Sequence, residues 1–156
     1  MEIILVKTLD GSLRPATEEG IDQLRKLKVG AGVRCKVAQI RNYKFLQKTM
    51  VLFSVAFAHW EENSLQDLEY KGQKVQADKE RFRKDLTILA GHYDPIYDIT
   101  GKVKLQARSL SYASCSEEEA QAIYSSVINA ALRHIYQGQM DERRLQEQVD
   151  QIIRFA

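Results

Sequence analysis

Leu46, Met50, Phe53, Phe57 and Trp60 are spaced four, three, four and three residues apart, and no other pattern in the chain restricts its fold as much. That spacing places five large apolar side chains on one face of an α-helix and gives the face enough surface to nucleate a core. The residues just before it are of another kind. Arg41, Lys44 and Lys48 are interleaved with Asn42, Tyr43 and Gln47, so a polar, basic segment runs directly into the apolar one.

The charge is segregated along the chain. No Asp or Glu occurs from Gln23 to Trp60, whereas Arg25, Lys26, Lys28, Arg34, Lys36, Arg41, Lys44 and Lys48 all fall there, although the formal net charge of the 156 residues is only +2. A local excess of one sign attracts phosphates or acidic partners even when the whole molecule is nearly neutral. A second acid-free block, Ile99 to Ser116, carries Lys102, Lys104 and Arg108.

With 44% apolar residues the chain can bury one substantial core, and the simplest expectation is a single domain over 1–156. Two cysteines, Cys35 and Cys115, without CxxC or a Cys/His cluster, are expected to be reduced thiols, a disulfide between them being the alternative. The opening MEIILVK has an acid at position 2 and too short an apolar run for a signal peptide, and Met50 to Ala58 is too short to span a bilayer. A cytoplasmic protein with no membrane partner is expected.

Local patterns give an α+β fold. EIILVKT followed by Asp10-Gly11 predicts a strand and a hairpin to about Arg14. Thr17 before Glu18 and Glu19 predicts an N-cap and a short helix ending before Gly30. Alternation in GVRCKVAQI predicts a further strand. Residues 61–76 read as a flexible polar connection, and Ala77 to Ala90 as a helix stopped by Gly91. Residues 92–112 read as a hairpin turning at Thr100-Gly101, with Lys102, Lys104 and Arg108 on one face. Ser116 with Glu119 is a capping box for a helix to about Gln137, and a last amphipathic helix follows from Asp141. The expected architecture is a small antiparallel sheet, of the N-terminal strands plus the hairpin, packed with helices and a C-terminal helical pair.

Cations that track a backbone, with flat rings on which bases stack, suit single-stranded nucleic acid. Arg41, Tyr43, Lys44, Lys48, Lys102, Lys104 and Arg108 are the candidate contacts. Tyr43 is the first choice for stacking, ahead of Tyr112, Tyr93 and Trp60, and Trp60 is better read as a core anchor. RNA is an alternative ligand. No P-loop, zinc motif or Ser-His-Asp spacing occurs, and no catalytic residue, metal or cofactor is expected. Asp94, Asp98 and Lys102 come nearest to nuclease chemistry, but the second arm lacks the acid such a site requires. The stronger rival is a module that docks on another protein as inhibitor or adaptor.

Three blocks, RNYKFLQKTMVLFSVAFAHW (41–60), FRKDLTILAGHYDPIYD (82–98) and RSLSYASCSEEEAQAIYSSVI (108–128), together with EIILVKT, resemble a family of prophage-borne proteins known chiefly as a domain of unknown function. The order of blocks is more distantly similar to the phage lambda Orf (NinB) recombination mediators. That resemblance implies a homodimer that binds single-stranded DNA without sequence preference and helps load or replace host recombination or single-strand-binding proteins. It carries over Arg41, Asn42, Gln47 and Lys48 from the first block, and Arg108, Ser109 and Ser111 from the third. The 61–76 connection has no counterpart.

Overall fold

The computed structural model describes residues 2–37, 42–64, 67–112 and 114–155. It is α+β, as expected, and divides into two compact units, Met1–Ala38 and Gln39–Ala156.

In the first unit, β1 (Leu5–Lys7) and β2 (Leu13–Pro15) pair antiparallel with Leu5 opposite Pro15. Gly11 takes φ +83° in the turn between them, a conformation that favours glycine. Helix α1 (Glu18–Arg25) starts at Thr17, whose hydroxyl accepts from the Gly20 N–H at 3.1 Å. Gly20 is buried, and a Cβ there would lie 3.0 Å from Ile3 Cγ2, so only glycine lets helix and strand segment approach this closely. The strand expected in GVRCKVAQI does not form over residues 32–37, and its remaining positions 38–40 lie outside the described residues. Alternation gives a segment two faces but supplies no neighbouring strand to take its hydrogen bonds.

The second unit is organised around α2 (Tyr43–Asn63). Leu46 and Phe53 of the predicted stripe are buried, as are Leu52 and Ala56 beside it, while Met50, Phe57 and Trp60 are half-buried. The buried face is wider than the stripe because α2 packs against α3 (Lys79–Leu89), α4 (Glu117–Ala131) and α5 (Glu142–Phe155). Phe82 and Leu86 from α3, Val127, Ile128 and Ala131 from α4, and Leu145 and Val149 from α5 complete this core. Each large apolar side chain buried there contributes roughly 1.5–3 kcal/mol. Trp60 meets Phe82 with ring centroids 5.3 Å apart, which makes it the core anchor expected. The α4 cylinder continues as one π-helical turn, Leu132–Tyr136, and ends where Gln137 and Gly138 both take positive φ.

The anticipated single sheet is instead separate two-stranded ribbons. Residues 69–74, inside the segment read as a flexible connection, form β3 (Glu69–Tyr70) and β4 (Gln73–Lys74), closed by Lys71 and Gly72 with positive φ. The predicted hairpin forms as β5 (Tyr93–Tyr97) and β6 (Val103–Ala107), and β6 packs on α3. Residues 108–112 are not strand. No helix among the described residues is long and apolar enough to cross a membrane.

Candidate nucleic-acid interface

The start of α2 is where the two sequence blocks meet. Asn42 takes a left-handed conformation, φ 56° and ψ 31°, and its side chain does not cap the helix. Its Nδ2 donates instead to the carbonyls of Tyr112 (3.2 Å) and Cys115 (2.8 Å), tying the helix to the 112–116 segment. The other helices begin differently. Thr17, Asp78 and Ser116 cap α1, α3 and α4, and Asp141 Oδ1 accepts from the Arg144 N–H at the start of α5. The first turn of α2 also contains no acid, whereas Glu18 and Glu19, Glu80, Glu117 to Glu119 and Glu142 stand in the first turns of α1, α3, α4 and α5. The first turn of this 21-residue helix thus carries no carboxylate of its own at the positive end of the helix dipole.

The expected contacts are distributed unevenly around this point. Arg41 lies outside the described residues. Lys44 is exposed, Gln47 is half-buried, and Tyr43 is half-buried with its hydroxyl pKa raised by burial. Ser109 and Ser111 are exposed just before the 112–116 segment that Asn42 holds, and Ser111 Oγ shares a 2.7 Å hydrogen bond with Ser114 Oγ. Lys48 points elsewhere. Its Nζ lies 3.1 Å from Asp150 of α5 and 5.7 Å from the Tyr124 ring centroid, and only 18% of its side chain is exposed.

Tyr112, a candidate for stacking, is buried inside the molecule. Thr49 donates to the Phe45 carbonyl at 2.8 Å, so the 2.5 Å contact between Thr49 Oγ1 and Tyr112 Oη has the tyrosine as donor. Burial pushes the Tyr112 hydroxyl up to about 12. Sequence reasoning missed this pair because the two residues are 63 positions apart.

On the β5–β6 ribbon, the three cations do share a face, but two already have carboxylate partners there. Arg108 Nη2 lies 2.6 Å from Asp94 Oδ1, and Lys104 Nζ lies 3.1 Å from Asp98 Oδ2. Asp98 Oδ1 also accepts from the N–H groups of Thr100 and Lys102, which closes the turn. The Thr100 hydroxyl and Lys104 hold its carboxyl down at about 2. Both aspartates considered for a metal therefore serve the hairpin, and no group of three His, Cys, Asp or Glu side chains among the described residues could hold a metal ion. Both ion pairs are exposed to solvent, and pairs of this kind add little to stability. Lys102 is exposed beside the turn.

These features define an α+β protein in which a helix start with no acid in its first turn is tied to the segment that follows the exposed Arg108, Ser109 and Ser111. The chain belongs to the family described as "Protein of unknown function (DUF1367)", which matches residues 1–66 and 62–155. No curated protein and no solved structure matches it.

Proposed function

We propose that this protein binds single-stranded DNA without sequence preference, as an accessory factor in phage or prophage recombination acting in the cytoplasm of the bacterial host cell. The observation that carries the reading is the open start of α2, where Lys44 is exposed, no first-turn acid repels an anion, and Asn42 is committed to the 112–116 segment. A helix N-terminus with a neighbouring cation suits a phosphate. Arg108, Ser109 and Ser111 extend the polar surface from the adjoining segment, and Lys102 and Lys104 offer further cations on the ribbon. Contacts of this type go to the sugar–phosphate backbone and carry no base identity, which is why no sequence preference is expected. The exposed part of Tyr43, beside Lys44, gives one base a ring to stack on.

The recombination context rests on the resemblance to prophage-borne proteins and, more distantly, to the Orf mediators, which also suggests a homodimer and host recombination or single-strand-binding proteins as partners. Fluorescence anisotropy of labelled single- and double-stranded oligonucleotides over a salt series tests the binding. Tighter, salt-sensitive binding of the single strand supports it, and absence of binding at low salt contradicts it.

A second reading, docking on a host protein as inhibitor or adaptor, is favoured by the β3–β4 ribbon. Leu68, Tyr70 and Val75 are all exposed there, and the Val75 N–H donates to the Leu68 carbonyl to extend the ladder, which puts the three side chains on one face. Retention of a host protein by the wild type but not by a Tyr70→Ser variant, without DNA affinity, is the result this reading requires.

A further inference from the structure

The β5–β6 ribbon has two unlike faces. Asp98 N–H donates to the Lys102 carbonyl at one end, and Arg108 N–H to the His92 carbonyl at the other. In an antiparallel ladder, hydrogen-bonded and non-hydrogen-bonded pairs alternate, so Tyr93–Ala107, Pro95–Leu105 and Tyr97–Val103 are the close, non-hydrogen-bonded pairs. These six residues share one face and are all apolar in character. Exposure rises toward the turn, from 37% at Tyr93 and 47% at Leu105 to 73% at Val103 and 81% at Tyr97. The other face carries Asp94, Asp98, Lys104 and Arg108, closed into ion pairs among themselves.

We infer that the apolar face is the docking surface for a second copy of this chain, packed ribbon to ribbon about a two-fold axis. Although β6 packs on α3, these apolar side chains remain largely exposed, and stacking two ribbons face to face covers them in both copies. Pairing through the β5 edge is disfavoured, because Pro95 occupies an outward-facing position and removes the central donor of that edge. The exposed parts of these side chains amount to on the order of 500 Å² per copy, so two copies bury about 1,000 Å² together, enough for a weak but specific homotypic contact. Charge favours a second copy over nucleic acid here. The ribbon's charged side chains lie on the opposite face, so a dyad brings no like charges together, while a DNA strand on this face would find no cation beside it.

The dimer stands independently of the DNA reading and is tested without DNA. Analytical ultracentrifugation of the full chain over a hundred-fold concentration range is expected to show a reversible monomer–dimer equilibrium. Val103→Lys and Tyr97→Ser, each with an unchanged circular dichroism spectrum, are expected to weaken it at least about tenfold, because each removes one of the two most exposed apolar side chains of the ladder face. Gln106→Lys, on the opposite face, is expected to leave it unaltered. Two variants guard against either one failing to fold. A monomer at every concentration, or a dimer that both folded variants retain, overturns the inference. So does a Tyr97→Ser protein of wild-type mass behaviour with weakened oligonucleotide binding, which would assign the face to bases.

Discussion

The side-chain amide of Asn42 donates to the main-chain carbonyl of Cys115 at 2.8 Å, joining two segments 73 residues apart in sequence. The same nitrogen lies 3.2 Å from the Tyr112 carbonyl, so one side chain fixes how the start of α2 meets the segment leading into α4. Asn42→Ala removes this donor and puts a residue with no local hydrogen bond into a left-handed conformation. A loss of about 1–3 kcal/mol in urea unfolding is expected, with weaker oligonucleotide binding in the folded fraction. An unchanged midpoint would show that the clamp contributes nothing to stability.

Thr49 and Tyr112 are predicted to respond unequally to substitution. Tyr112→Phe leaves Thr49 still bonded to the Phe45 carbonyl, and a cost of about 1 kcal/mol is expected. Thr49→Val strands the buried tyrosine hydroxyl without its acceptor and is expected to cost more, about 1–3 kcal/mol. Equal losses in denaturant titrations of the two variants would contradict the assignment of Tyr112 as donor.

The same tyrosine sets a limit at high pH. Its folded-state pKa is raised to about 12 against 10.0, so the folded state disfavours the phenolate. The stabilisation is fully present below pH 10, declines as the unfolded chain ionises between about pH 10 and 12, and levels off above that. Tyr112→Phe is expected to show a smaller decline over that window in thermal melts.

His92 works in the opposite direction. Its Nε2 meets Ser126 Oγ at 2.7 Å, and burial first, then the Arg108 charge, lower its pKa below 6.5. The neutral ring is favoured in the fold, so this contribution is complete above about pH 6.5 and falls as pH drops and the unfolded chain takes up the proton first. His92→Gln is expected to flatten stability between about pH 7 and 5. A slope equal to that of the wild type would remove His92 from the account.

What was legible in the sequence was local. The Thr17 cap, the Ser116–Glu119 box, the Gly91 stop and the Thr100-Gly101 turn each depend on residues within a few positions, and each is found where its pattern indicated. The α2 stripe was legible for the same reason, although it understates the buried face, which also includes Leu52 and Ala56. What failed needed a distant partner. Val33 to Val37 alternate without a strand to pair with. Lys48 looked like a surface cation because Asp150 is a hundred residues away, and Tyr112 looked available because nothing nearby in sequence announces Thr49. On the ribbon, the cations were readable but their diagonal pairing with Asp94 and Asp98 depended on the register.

The distinction between Lys44 and Lys48 tests the central claim most directly. Anisotropy of a labelled single-stranded oligonucleotide should be measured over a salt series for the wild type, Lys44→Ala and Lys48→Ala. The open start of α2 predicts weaker binding by Lys44→Ala, with the slope of log affinity against log salt reduced by about 0.7, and an unchanged slope for Lys48→Ala, whose ammonium faces Asp150. A wild-type slope and affinity in Lys44→Ala would place the nucleic-acid contact elsewhere and contradict the account.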